Sequence, residues 1–81
     1  MTIKELCEIS QYGTQIKALS GFSGKVLVYN MEKNENKEKY GELPVYRIYP
    51  AINTDKNGGW ARPILMCYCP EDEYMKIREA L

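Results

Sequence analysis

The chain contains no histidine. That absence removes the commonest general base, the commonest metal ligand and the usual switch near neutral pH. No glycine-rich phosphate loop, no Cys-x-x-Cys pair and no nucleophile elbow takes its place. Long apolar runs are missing too. Nothing approaches the ~18 consecutive apolar residues of a membrane span, and Lys4, Glu5 and Glu8 interrupt the only apolar stretch near the start, so no secretory signal is read there. Net charge is also lacking: eleven basic residues balance eleven acidic ones, for +0 at pH 7. Duplex-binding modules draw much of their affinity from a net basic field, so wholesale nucleic-acid binding is disfavoured while a local basic patch stays open.

Cysteine is sparse. Cys7, Cys67 and Cys69 make an odd number, which argues against a disulfide framework. Cys67 and Cys69 stand two apart in a strand-like stretch and so share a face, where a bridge between them would be strained. A structural zinc site needs four ligands, and only carboxylates are left to complete one. Cys7 falls on the inward side of the first helix, where a thiol behaves as a small hydrophobe. The reading is reduced thiols packed in a core, in a cytosolic protein with no metal and no cofactor.

What is present is an ordinary globular mixture, 44% hydrophobic and 27% charged, with seven tyrosines and one tryptophan. At 81 residues it reads as one domain spanning 1–81, with a stability of a few kcal/mol. Thr2 and Glu5 form a capping-box signature, and Ile3, Leu6, Cys7 and Ser10 recur at helical spacing, predicting a helix over about 3–11 that ends near Gly13. Thr14 to Leu19 is ambiguous, since Ile16 and Leu19 sit three apart and would also suit a continued helix; the turn signal that follows favours a strand. The turn signal Ser20-Gly21-Phe22-Ser23-Gly24 leads into a second strand, Lys25-Val26-Leu27-Val28-Tyr29, and the two form a hairpin. Residues 31–42 hold seven charges of interleaved sign and read as a solvated connection with a helical turn ending at Gly41. Val45 to Ile52 gives a third strand, whose Pro50 suits an end or an edge. Asn57-Gly58 is a hairpin signal. Ala61 to Cys69 follows as a fourth strand, apolar on both faces and so central or covered. Pro70 opens a closing helix over 70–80, with Glu71, Asp72 and Glu73 at its positive end and Tyr74, Ile77 and Leu81 as its inward stripe. The fold predicted is α+β, a four-stranded antiparallel meander with an N-terminal and a C-terminal helix on one face.

Two groups of residues stand out as candidate surfaces. Trp60 directly follows the Asn57-Gly58-Gly59 tip and lies two residues from Arg62, and both types are enriched at interface hot spots. The alternative is that Trp60 folds back as the largest core residue. The strands also carry Tyr29, Tyr46, Tyr49 and Tyr68. Beside Arg47, Lys25 and Arg62, an aromatic face of that kind resembles a single-strand-binding platform, although tyrosines are also common in strands for packing reasons alone. Glu71, Asp72 and Glu73 are read as helix-capping charges rather than an acid–base pair, because a domain this small seldom builds the cleft such a pair needs.

Taken in order, Ile3-Lys4-Glu5-Leu6, Gly24-Lys25-Val26-Leu27 and Tyr46-Arg47-Ile48-Tyr49-Pro50 resemble the layout of small uncharacterised accessory proteins of phages and prophages of Gram-positive bacteria. The likeness spans roughly residues 1–69, and segment 31–42 and the Pro70 helix depart from it. It implies an accessory role in a mobile element through binding a host protein, and it transfers no site residues. The expectation is therefore a non-enzymatic, cytoplasmic interaction module that binds another protein, with no membrane association and with a homodimer compatible. Its candidate surface residues are Trp60, Arg62, Tyr46, Arg47 and Tyr49. A single-stranded nucleic-acid binder using the tyrosine face is the alternative.

Overall fold

The computed structural model describes residues 1–11, 13–54 and 61–80, excluding the side chains at 53, 54, 61 and 62. The elements in chain order are α1 (Ile3–Ile9), β1 (Gln15–Ser20), β2 (Val26–Val28), α2 (Asn34–Tyr40), β3 (Arg47–Thr54), β4 (Ala61–Cys69) and α3 (Glu71–Glu79). The capping box forms as the sequence requires. The Glu5 amide donates to Thr2 Oγ1 at 3.3 Å, and the Thr2 amide donates to the Glu5 carboxylate at 3.0 Å. At the other end of the chain, Pro70 is the N-cap of α3, one residue outside the first helical position expected for it.

The sheet corrects the meander. Its strand order is β2-β1-β4-β3, with antiparallel outer pairs and a parallel central pair, β1 against β4. Burial supplies the reason. A meander would put β4 at an edge and expose one flank of a nine-residue strand that is apolar on both faces. In the observed order β4 is central, paired with β3 on one side and β1 on the other. The edges go to strands that tolerate them: β2 has only three residues, and β3 contains Pro50, which has no amide to offer an incoming strand. The parallel pair left no simple signature because a whole strand pairing, as well as α2, intervenes between β1 and β4.

A third helix is the second correction. Segment 31–42, expected as a solvated connection with a helical turn ending at Gly41, contains the two-turn helix α2, capped at Gly41 as expected, and also supplies core residues. Met31 is 0% exposed, and Tyr40 and Leu43 are buried beside it. A seven-residue helix with no side-chain cap is not stable on propensity alone. It is held instead by Tyr40, whose ring centroid lies 5.2 Å from that of Tyr74 in α3. The chain on either side adds the Met31 amide donating to Ile16 O at 2.8 Å and the Lys4 amide donating to Gly41 O at 2.9 Å. The charges that dominate the segment's composition lie mostly on its outer side.

Ile3 and Leu6 of α1, Ile16 and Ala18 of β1, Cys67 and Cys69 of β4, and Tyr74 of α3 form one buried cluster with Met31, Tyr40 and Leu43. The helices therefore cover the sheet face that carries Ile16, Ala18 and Cys67. Among the described residues the opposite face is free of helices. Cross-strand register places Leu19, Tyr68 and Arg47 in one row there, and Lys17, Met66 and Tyr49 in the next. Among the described residues no helix is long and apolar enough to cross a membrane.

Candidate functional site

The turn after β1 is specified by one buried side chain. Ser20 is 0% exposed, and its hydroxyl uses its full bonding capacity. It accepts from the amides of Phe22 and Ser23 at 3.1 Å each and donates to Glu71 Oε2 at 3.0 Å. The backbone completes the frame: the Gly24 amide donates to Ser20 O, the Ser20 amide to Lys25 O and the Gly21 amide to Cys69 O, each at 2.8 Å. Gly24 has φ +74°, a conformation that glycine adopts without strain. The turn is thus tied to β2, to the end of β4 and to the first residue of α3.

At its tip stands Phe22, the only phenylalanine of the chain, 95% exposed. A phenylalanine held in solvent by a locked turn gains nothing for the fold; its ring is displayed. Tyr46 (70% exposed) and Met75 (38% exposed) lie on the same side. With Gly21, Pro70, Glu71 and Asp72 they line an open groove of about 580 Å³, a volume within the usual range of ligand clefts. Both charged residues in that lining are acidic.

Tyr46 also borders a second hollow, of about 370 Å³, lined by Gly21, Arg47, Tyr49 and Tyr68 on the helix-free side. There the Tyr49 and Tyr68 rings meet edge to face at 5.6 Å, and Arg47 Nη1 donates to the Tyr49 hydroxyl at 3.3 Å. Lys17 Nζ sits 5.7 Å from the Tyr29 ring centroid. Of the strand tyrosines singled out from sequence, Tyr29, Tyr46 and Tyr49 are exposed and Tyr68 is half-buried. The basic component of the helix-free face, among the described side chains, amounts to Arg47 and Lys17. Lys25 is exposed just before β2.

Of the five surface residues read from sequence, the structure brings Tyr46, Arg47 and Tyr49 together. Trp60 lies outside the described residues, and so does the side chain of Arg62; the Asn57-Gly58 turn is likewise outside them. Sequence reasoning missed Phe22 and Met75. The available signal was a lone phenylalanine in the middle of a Ser/Gly turn, a place where a large apolar ring has no strand neighbour to pack against.

The thiols are free and inward. Cys67 and Cys69 are fully buried on one face, as their spacing requires, and Cys67 Sγ donates to Lys17 O at 3.3 Å. The neighbouring Cys69 thiol, followed by burial, pushes Cys67 far above the ordinary thiol range, and burial also raises Cys7. Among the described residues no three side chains of metal-ligating type converge. No family model, curated protein or solved structure matches the chain.

Proposed function

We propose that this chain is a non-enzymatic, cytoplasmic protein-interaction module, and that its docking surface is the groove between Phe22, Tyr46 and Met75. The observation behind this reading is the 95% exposed Phe22 on a turn whose every polar anchor is satisfied. Anchors presented on rigid elements bind without a large ordering cost. Aromatic side chains are also the residues most enriched where interfaces draw their energy. Exposed Ile48 and Ile52 on the edge strand are less suitable anchors, being spread along β3. The resemblance to phage and prophage accessory proteins adds a setting: an accessory factor that binds a host protein.

Single-stranded nucleic acid on the helix-free face is the second reading, favoured by the Tyr49–Tyr68 pair beside Arg47. It is the weaker one, since the two cations among the described side chains of that face give little of the backbone neutralisation such sites need. Affinity capture with immobilised wild-type protein and Phe22→Ala in parallel, with and without nuclease, separates the two. Under the docking reading, a protein is retained by wild type, lost with Phe22→Ala and indifferent to nuclease. Capture abolished by nuclease and untouched by Phe22→Ala would overturn it in favour of nucleic acid. Self-association that raises the sedimentation coefficient with concentration and disappears with Phe22→Ala would identify the partner as a second copy.

A further inference from the structure

We infer that the segment seated in the Phe22 groove is a basic one: an extended stretch of a partner protein in which one or two bulky apolar residues are flanked by Lys or Arg. This rests on the docking reading above and adds the chemistry of the occupant.

The groove has an apolar floor and an acidic rim. Phe22, Tyr46, Pro70 and Met75 supply hydrophobic surface, Gly21 lets the backbone approach, and the charged residues of the lining are Glu71 and Asp72. Glu71 is fixed in place, because its Oε2 accepts from the buried Ser20 hydroxyl at 3.0 Å. It therefore presents a carboxylate of defined position beside the apolar floor. Asp72 Oδ1 accepts from the Glu73 amide at 3.0 Å, which orients the second carboxylate on the exposed turn. A partner with acidic flanks would bring like charges together at the groove, which costs affinity and suppresses wrong partners. A purely apolar partner would leave both carboxylates partly desolvated without a counter-charge. Apolar anchors with cationic flanks satisfy the floor and the rim together. The same side of the protein is unsuited to phosphate chains, whose charge matches that of the rim.

The test uses random dodecapeptides displayed on filamentous phage, selected on immobilised full-length protein. Expected are peptides with a paired apolar core and an excess of Lys and Arg over Asp and Glu, which lose binding to Phe22→Ala. The best of them, synthesised with a fluorescent label, should bind Asp72→Lys at least fivefold more weakly than wild type. It should bind Glu73→Lys, an equal change of charge outside the groove lining, within twofold of wild type. Selected peptides that depend on Phe22 but carry neutral or acidic flanks would overturn the basic-segment inference and leave the docking reading standing. Equal weakening by Asp72→Lys and Glu73→Lys would overturn it as well, since the attraction would then be a general field. Selected peptides indifferent to Phe22→Ala, or none above background, would overturn the docking reading and this inference with it. A labelled oligothymidylate that binds in place of the peptides, and loses affinity with Arg47→Ala, would do the same.

Discussion

Replacing Ser20 with alanine removes one oxygen from the interior and should cost more than most single changes in the chain. The hydroxyl makes one hydrogen bond to a carboxylate at 3.0 Å and accepts two from turn amides at 3.1 Å. A bond to a charged group contributes about 1.5–3 kcal/mol, and a neutral one about 1 kcal/mol. Water can reach the exposed side of the turn and recover part of the amide contribution, whereas the buried side of Glu71 is harder to resolvate. The net loss for Ser20→Ala is therefore roughly 2–3 kcal/mol, a large share of a domain this size. Urea denaturation should show a lower midpoint at an unchanged slope, and the melting temperature should fall by roughly 10–20 °C. Glu71→Gln retains an acceptor for the hydroxyl and should cost about 1 kcal/mol or less. Phe22→Ala, at the tip of the same turn, should change stability by less than about 0.5 kcal/mol. A Ser20→Ala protein within about 0.5 kcal/mol of wild type would refute the idea that this side chain fixes the turn.

Met31→Ala should cost about 2–5 kcal/mol, because Met31 is fully buried; a loss under about 1 kcal/mol would return segment 31–42 to the status of a solvated connection. Ellman's reagent should leave Cys67 and Cys69 unmodified until the protein unfolds, and modify the half-buried Cys7 slowly, since burial raises its pKa; rapid modification of all three thiols in native buffer would contradict the packing. Glu5 should titrate below its ordinary value of 4.5, because the Thr2 backbone amide and then the Thr2 hydroxyl stabilise its carboxylate. A depressed folded-state pKa means that the capping contribution is present above pH 4.5 and is lost as pH falls through the folded value; Thr2→Val removes the hydroxyl but keeps the residue 2 amide, the larger cause, so it should move the Glu5 midpoint seen by carbon-detected NMR only part of the way back toward 4.5.

Local signals were legible where local chemistry decided the structure. The Thr2–Glu5 box, the strand from Ala61 to Cys69, the edge position of Pro50 and the hairpin of β1 with β2 all follow from residues within a few positions of one another. The parallel pairing of β1 with β4 did not, because it joins segments nearly fifty residues apart and is chosen by which strand can afford an edge. Residues 31–42 misled for a related reason: seven charges set their composition, while Met31 and Tyr40 set their structure through contacts with α3 and β1. The site divides the same way. Arg47 and Tyr49 could be read as sharing a face from strand alternation, which sets Tyr46 on the other; that Tyr46 borders the same hollow follows only from the fold. The groove could not be read either, since it needs α3 to place Met75, Glu71 and Asp72 against a turn at residues 21–24.

The most direct test of the account is the map of amide shifts in a proton–nitrogen correlation spectrum as the selected basic peptide is added to the labelled protein. The account predicts that the perturbed amides fall on residues 21–24, on Tyr46 and on residues 71–75, and that the spectrum of Phe22→Ala stays still under the same addition. Shifts concentrated instead on Lys17, Tyr29, Tyr49 and Tyr68, persisting in Phe22→Ala, would contradict it and move the binding surface to the helix-free face.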